Sequence, residues 1–259
     1  MSRNKKVNFE EIRVACSECS LTDLCLPHGM EVDELEALEQ FIKRLPPLQP
    51  GQHLYRAGDA GHSLFAVRSG CLKSYCTTED GEEQVLGFTL PGELVGLDGL
   101  NNGRYASNSI VLETTSVCGL PYDQLETLCQ DLPSLHRQVM RIVGKEISSY
   151  HQMLMLLGKR SAEERLASFL VSLSSRYKVR GLSATEFNLP MSRQDIGNYL
   201  GLAIETVSRL FAHFQEAQLL TVRRRQIVLK DLEKLQGMVE GCMMDHSASA
   251  RLGSGQVPR

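Results

Sequence analysis

The spacing of apolar residues divides the chain into regions of different secondary structure. From Pro46 to about Asp123, short apolar stretches alternate with turn residues, as in "HSLFAVRSGCLKSYCTTEDGEEQVLGFTLPGELVG", and glycines recur at roughly strand-length intervals. This pattern is typical of an all-β sandwich or barrel. Within it, Asp80-Gly81 lies between two alternating segments, which predicts a hairpin whose acidic tip projects into solvent.

After "CQDLPSL" the apolar residues recur every three or four positions, which predicts one long helix over Ser134 to Leu157, a stretch without proline. The narrow apolar stripe fits a coiled-coil seam, although an ordinary core-facing stripe would look similar. Because twofold dimers are the commonest oligomers, we interpret the stripe as a dimer interface. Its residues are Met140, Val143, Ile147, Tyr150, Leu154 and Leu157.

The sequence after this helix predicts a winged helix-turn-helix. Ser161 and Glu164 are placed as a capping box at the start of a helix. In "MSRQDIGNYLGLAIETVSRLFAHFQ", Ser192 predicts an N-cap, Gly201 a left-handed turn, and a second helix begins at about Ala203. The stretch "LLTVRRRQIVLKD" then predicts a basic hairpin, which would be the wing.

The outward face of the second helix has the chemistry of base recognition. Arg209 would donate to guanine O6 and N7, Glu205 would accept from cytosine N4, and Ser208 is small enough to allow close approach. We expect His213 on the same face. A solvated ion pair between Glu205 and Arg209, four residues apart, is the alternative interpretation. The buried face is expected to consist of Val207, Leu210, Phe211 and Phe214.

Composition and charge fit a globular protein that carries a nucleic-acid-binding module. The 259 residues are 42% hydrophobic, without an apolar export signal or a stretch long enough to cross a bilayer, so we expect a cytoplasmic, globular protein. Residues 1–159 carry a net charge of −7 and residues 160–230 one of +5, a basic module on an acidic body. We find no nucleophile with a base and no phosphate-binding glycine loop, and therefore expect no enzyme.

Three cysteines lie within ten residues in "CSECSLTDLC", namely Cys16, Cys19 and Cys25. In a long chain without an export signal, such thiols are expected to be free, metal-bound or redox-active. A loop of this kind with one remote cysteine is typical of an iron–sulfur cluster. With His28 it would equally suit a tetrahedral zinc site, so the spacing leaves both open. Other cysteines are expected to pack as small apolar side chains, namely Cys71, Cys76 and Cys129.

Over about residues 12–235 the chain resembles the fumarate and nitrate reductase regulator (FNR) branch of the catabolite activator protein superfamily. The resemblance is carried by "GNYLGLAIETVSR", "FAVRSG", "EEQVLGF", "LVG", "LETTSVC" and "LMLLGKRSAEERLASF". It implies an α+β fold with a cyclic-nucleotide-binding-like β-roll (jelly roll). The expected segments are a cysteine-rich terminus (1–30), the β-roll sensor (31–133), a dimerisation helix (134–160), the winged helix-turn-helix (161–236) and a disordered tail (237–259).

The resemblance also implies the sites. A [4Fe-4S] cluster would be held by Cys16, Cys19, Cys25 and Cys118, with zinc or heme as the alternative. In the family, cluster assembly without oxygen promotes homodimerisation and DNA binding, and oxygen degrades the cluster. Glu205, Ser208 and Arg209 would read TTGAT-type half-sites in an inverted repeat of double-stranded DNA that controls anaerobic metabolism genes. An RNA polymerase contact, expected of an activator, would be Thr77, Thr78, Gly81 and Glu82.

Two positions depart from the family's pattern. Tyr150 replaces an aspartate that commonly repels its twin in the dimer seam, which leaves open a paralogue with weakened oxygen control. Tyr105-Ala106 stands where cyclic-nucleotide-binding relatives have an Arg-Ser pair, although Glu93 is kept. We therefore expect no cyclic nucleotide, and no membrane partner.

Overall fold

The computed structural model describes residues 15–239, which form two compact units. The first comprises the chain up to Leu156 together with Pro190–Ile204, and the second comprises Leu157–Leu189 together with the chain from Glu205. The α+β fold class is confirmed, since both units combine helices with antiparallel strands. No helix in the described part has the length and apolarity needed to span a bilayer.

The first unit is built around two long antiparallel strands, β3 (Ser63–Thr77) and β6 (Asn108–Pro121). The sheet has the order β1-β6-β3-β4, with β2 paired to β6 and β5 to β3. The predicted β-rich segment is confirmed. The shorter strands are β1 (Lys43–Arg44), β2 (His53–Tyr55), β4 (Glu83–Thr89) and β5 (Leu94–Val95).

The predicted hairpin joins β3 to β4. Gly81 has a φ of +83°, the left-handed conformation that glycine adopts without steric cost, and its amide donates to the Thr78 carbonyl. Thr78 and Glu82 close the turn through a backbone hydrogen bond of 2.9 Å. Residues 77–84 are exposed, as expected for the acidic tip.

Three helices cover one end of the sheet and share a core with it. They are α1 (Val32–Glu39), α2 (Tyr122–Asp131) and α3 (Pro133–Lys159). The single long helix predicted from the apolar spacing is confirmed as α3. The shared core consists of Leu26, Leu38, Leu64, Leu120, Leu125, Leu128, Leu135 and Val139. Because Leu26 directly follows Cys25, this core fixes the cysteine loop against α3.

The helix α5 (Arg193–Leu200) belongs to the first unit. Its capping box is formed by Ser192 and Asp195, and it ends at Gly201 with a φ of +62°, so both predicted helix boundaries are confirmed. Asn198 on α5 bonds the backbone of β4. These contacts place α5 with the sheet, whereas the predicted segment 161–236 grouped it with the other helices of the C-terminal region.

The second unit contains α4 (Ala162–Lys178), α6 (Ile204–Glu216) and a three-stranded sheet. The predicted capping box of Ser161 and Glu164 is confirmed. The sheet has the order β7-β9-β8 and includes the predicted basic hairpin. Its strands are β7 (Glu186–Asn188), β8 (Leu220–Arg223) and β9 (Gln226–Leu229).

A last helix, α7 (Leu232–Val239), follows the hairpin and buries Leu235. The tail predicted over 237–259 overlaps this helix by its first three residues. The rest of that tail, and the first half of the cysteine-rich terminus, lie outside the described residues.

Candidate functional site

The cysteine loop is organised by two short 3-10 turns, Cys16–Glu18 and Thr22–Leu24. The hydroxyl of Thr22 lies 2.6 Å from the carbonyl oxygen of Cys16 and 2.7 Å from that of Cys19. Thr22 belongs to the second turn, so its hydroxyl links that turn to the carbonyls of the first.

The loop is attached to the roll and to α3. A Cβ added at Gly92 would lie 2.8 Å from Cβ of Leu24, so the loop packs where only glycine fits. Gly92 also has a φ of +85°, which gives a second reason for glycine there. Gln138 of α3, a buried side chain, donates from Nε2 to the carbonyl of Cys25 at 2.9 Å. Sequence patterns had not singled out Gln138, because a buried glutamine looks like any polar helix residue.

Four thiols line one cavity of about 40 Å³, those of Cys16, Cys19, Cys25 and Cys118. Cys118 reaches the cavity from β6, where it pairs with Ala66 of β3 and with Arg44 of β1. All four cysteines are free. Most of the other lining residues are apolar, among them Leu21, Leu26, Leu38, Ile42, Ala66, Val67 and Leu120. Within residues 15–239, no three His, Cys, Asp or Glu side chains lie close enough together to hold a single metal ion.

Burial raises the pKa of the thiols of Cys16, Cys25 and Cys118. Burial raises the pKa of Cys25 to about 12, and burial together with the nearby Glu39 carboxylate raises that of Cys16 to about 11. The pKa of Cys118 is also raised by burial, while Arg44 and Arg68 act in the opposite direction. Because metals bind thiolates, iron or zinc binding at neutral pH would release protons from this cavity.

His28 and the described cysteines outside the ligand set do not line the four-thiol cavity. His28 is not among the cavity-lining residues, although its amide donates to the Cys25 carbonyl at 3.3 Å. Cys71 is fully buried in β3, and Cys129 packs against the helical core. The half-buried Cys76 has its sulfur 3.7 Å from the Ala106 carbonyl. These three cysteines pack in the fold, away from the four-thiol cavity.

The turn after the "GEL" motif holds a carboxylate at its centre. Oδ2 of Asp98 accepts hydrogen bonds from the amides of Ala106 (3.0 Å) and Ser107 (2.9 Å) and from the Ser107 hydroxyl (2.8 Å). Tyr105 is buried beside it and stacks on Tyr55 with ring centroids 3.8 Å apart. Donors that would otherwise be available to an anion are therefore satisfied by the protein itself.

The helix α6 divides its faces as predicted. Glu205, Ser208, Arg209 and His213 are exposed. Arg209 donates from Nη2 to the Thr206 hydroxyl at 3.3 Å, and the ion pairs of the described residues include none between Arg209 and Glu205. The alternative of a fixed Glu205–Arg209 pair is therefore not what the structure contains. The predicted buried face is confirmed, with Val207, Leu210, Phe211 and Phe214 all buried.

The wing turn follows β8, and it is basic. Arg223, Arg224 and Arg225 are exposed, and Arg224 has a φ of +58°. A positive φ is unusual for arginine, and here it closes the tight turn between β8 and β9. Exposed arginines on a short turn offer charge for phosphate contacts.

The apolar stripe of α3 faces solvent over much of its length. Met140, Ile147, Tyr150 and Leu154 are 54%, 51%, 49% and 68% exposed. Val143 instead packs partly against the helical core of its own unit, and Leu157 is half-buried. Large apolar side chains exposed in line along a helix mark a surface for another molecule.

Comparison with known proteins identifies two domain families in the chain, and the second of them includes α5. Residues 46–131 match the cyclic nucleotide-binding domain family, and residues 164–238 match the Crp-like helix-turn-helix domain family. The solved structure of FixK2 from Bradyrhizobium japonicum is 28% identical, with a TM-score of 0.70 over 76% of this chain and 97% of that chain. A CRP-family transcriptional regulator from Thermus thermophilus, at 19% identity and a TM-score of 0.62, shares the fold over 76% of this chain and 97% of that chain.

Curated relatives match over nearly their whole length. The transcriptional activator FnrA of Stutzerimonas stutzeri is 46% identical over 94% of this chain and 99% of its own. The transcriptional activator anr of Pseudomonas aeruginosa is 47% identical over 87% of this chain and 93% of its own. The fumarate and nitrate reduction regulatory protein of Vibrio cholerae is 44% identical over 87% of this chain and 90% of its own. This chain therefore belongs to the FNR/ANR-type transcription regulators of the CRP/FNR family, with a Crp-like helix-turn-helix for binding DNA.

Proposed function

We propose that this protein is an oxygen-responsive transcription activator of anaerobic metabolism genes. In this proposal Cys16, Cys19, Cys25 and Cys118 hold a [4Fe-4S] cluster that favours homodimerisation and binding to an inverted repeat of TTGAT-type half-sites. Oxygen would reverse both. The observation that carries the proposal is the single cavity shared by three loop thiols and one thiol of the sheet.

The residues present fit the group. Four thiols are the ligand set of an iron–sulfur cube, and the apolar lining limits access of water. When bound, such a cluster supplies iron–sulfur bonds that oxygen breaks. The thiols surround a cavity, as needed when each iron takes a different cysteine. The Cys3His form of the zinc alternative would require His28, which is not in the lining.

The Cys25–Gln138 hydrogen bond supports a link from the thiols to the dimer surface. Gln138 donates to the Cys25 carbonyl and accepts from Nε of Arg141 at 2.9 Å. Leu26 lies in the same core as Leu135 and Val139 of α3. Ordering the loop would therefore favour the dimeric state of the helix that carries Met140 and Ile147. The monomer–dimer equilibrium would shift by the difference in the free energy of loop ordering between monomer and dimer.

Homodimerisation would use the exposed stripe of α3. Pairing two copies would hide apolar side chains that otherwise contact water, and this hydrophobic gain would oppose the entropy lost on association. A twofold dimer presents two copies of α6 to successive major grooves, which suits an inverted repeat. Glu205, Ser208 and Arg209 would contact base edges, and the wing arginines would contact phosphates.

Asp98 supports the expectation that no cyclic nucleotide binds. A cyclic phosphate entering this turn would meet a carboxylate that already accepts from Ala106 and Ser107. Its negative charge would repel the phosphate, and no arginine follows at Tyr105-Ala106 to offset the repulsion. The roll would therefore serve as a framework for the thiol site.

The β3–β4 hairpin is proposed as the contact with RNA polymerase. Thr77, Thr78, Gly81 and Glu82 are exposed at its tip. The turn is held by hydrogen bonds between Thr78 and Glu82, including one from the Glu82 amide to the Thr78 hydroxyl at 3.2 Å. A preformed, acidic, solvent-facing turn is a suitable docking element because little ordering is needed on binding.

Absorbance of protein purified without oxygen tests the proposal. The brown absorbance of a cluster, with iron and sulfide in equal amounts, should appear and then bleach in air. Cys118→Ser should abolish it, while Cys76→Ser, a half-buried cysteine outside the cavity, should leave it unchanged. A colourless protein with stoichiometric zinc, or a heme spectrum, would contradict the cluster.

A further inference from the structure

Glu39, the last residue of α1, contacts the start of the cysteine loop. Its Oε2 accepts from the backbone amide of Cys16 at 3.3 Å. Its other carboxylate oxygen, Oε1, accepts from Nη2 of Arg44 at 3.1 Å. One carboxylate therefore connects the loop to β1.

Arg44 continues this connection to the remote thiol. It lies directly across from Cys118 in the antiparallel pairing of β1 with β6, which places the two side chains on the same face of the sheet. The Arg44 and Glu39 side chains are only 24% and 29% exposed, so water screens their contact less than it would at the open surface. Hydrogen bonds thus connect Cys16 through Glu39 to Arg44, and Arg44 faces Cys118 across the strand pair.

We infer that Glu39 and Arg44 form a brace that positions the two separate parts of the thiol site for the cluster. This inference rests on the proposed cluster and adds two residues that are not ligands. Cys16 lies in the loop of short turns, more than 100 positions from Cys118, whereas Glu39 and Arg44 belong to a helix and a strand between them. Groups that orient ligands in this way typically change metal affinity by roughly 10- to 100-fold when they are removed.

The charge of Arg44 adds a second effect. A cluster held by four thiolates is anionic, and a guanidinium facing one of them across the strand pair offsets part of that charge. Removing the guanidinium should therefore shift the reduction potential of the cluster to more negative values. A brace that acted only on folding would not move this potential in protein that still carries the cluster.

The test compares four variants of the full chain, reconstituted with ferrous iron and sulfide without oxygen. Arg44→Ala removes the brace, Arg44→Lys keeps its charge, and Glu39→Gln keeps an acceptor for Cys16 but weakens the ion pair. Lys43→Ala is the matched control, since Lys43 is an exposed cation on the same strand. The measurements are iron and sulfide per chain, the iron concentration for half-reconstitution, the reduction potential and the rate of bleaching in air.

We expect Arg44→Ala to need roughly 10- to 100-fold more iron, to bleach faster and to have a more negative potential. Arg44→Lys should recover most of the potential, Glu39→Gln should be intermediate, and Lys43→Ala should match the unaltered chain. Equal affinity, bleaching rate and potential in Arg44→Ala and Lys43→Ala would overturn the brace while leaving the cluster in place. An unaltered chain that takes up no iron would overturn the proposed function, and the brace with it.

Discussion

Lys73 on β3 and Asp195 on α5 are 122 positions apart in the chain and form an ion pair with Nζ 2.9 Å from Oδ1. Only 11% and 17% of these side chains are exposed. Beside the pair, Asn198 accepts from the amide of Val85 and donates to the carbonyl of Glu83. These contacts bond α5 to β4, a strand at the edge of the sheet, and so satisfy backbone groups that would otherwise be unpaired.

Lys73→Met should destabilise the first unit by about 3 kcal/mol, because it leaves the carboxylate of Asp195 buried without its cation. Lys73 is the better position to change, since Asp195 also belongs to the capping box of α5. Urea unfolding would measure the loss of global stability, and hydrogen exchange of the β4 amides would measure the local loss. Glu83→Gln removes the other carboxylate near Lys73. Because the Glu83 side chain is 47% exposed, this change should lower the free energy of unfolding by less than about 1 kcal/mol. Equal losses in the two variants would contradict this ranking.

Acid should release the same contact. Burial acts to raise the pKa of Asp195, but hydrogen bonds from Ser192 and Lys73 outweigh it and hold that pKa below its ordinary value. A carboxyl group whose pKa is lower in the folded than in the unfolded state stabilises the fold at pH values above the unfolded pKa, which is near 4. This stabilisation is lost as the pH falls through the folded pKa. Exchange of the Val85 amide, corrected for its intrinsic rate, should therefore accelerate only below about pH 4. Acceleration at pH 5 to 6, or the same pH profile in Lys73→Met, would argue against Asp195 as the group.

Arg209→Ala should remove about 1 to 3 kcal/mol of discrimination at one guanine of each half-site, because the guanidinium would bond its O6 and N7. Competition binding with DNA duplexes changed at single base pairs would measure this. Arg224→Ala on the wing turn is the matched control, and it should weaken all duplexes alike and reduce the salt dependence. An Arg209→Ala protein with unchanged base preference would exclude this contact.

Tyr150→Asp should weaken self-association of the cluster-free protein by roughly tenfold or more, because two carboxylates would face each other in the proposed seam. Sedimentation with and without the cluster would show whether dimerisation becomes more dependent on it. Ser149→Asp adds the same charge one position away, off the apolar stripe, and should have little effect. Similar effects of the two substitutions would place the interface on another face of α3.

Several helix ends and one hairpin turn could be predicted because they depend on local chemistry. The capping boxes at Ser161 and Ser192, the left-handed Gly201 and the Asp80-Gly81 turn act within a few residues, and all are present as expected. The buried face of α6 followed from its helical period in the same way. The four candidate ligands were named from loop spacing and family resemblance, and they line one cavity.

The contacts that join distant segments could be found only in the tertiary structure. Asp98 at the centre of its turn, Gln138 on the Cys25 carbonyl and the Glu39–Arg44 brace all use ordinary polar residues whose partners are set by packing. The grouping of α5 with the roll depends on Lys73 and Asp195 meeting across 122 positions. Local chemistry in the sequence thus determined the elements and the three loop cysteines, and the family resemblance added Cys118. Long-range packing decided which polar groups are desolvated together, and a hydrogen bond is electrostatically stronger in that low-dielectric interior than in water.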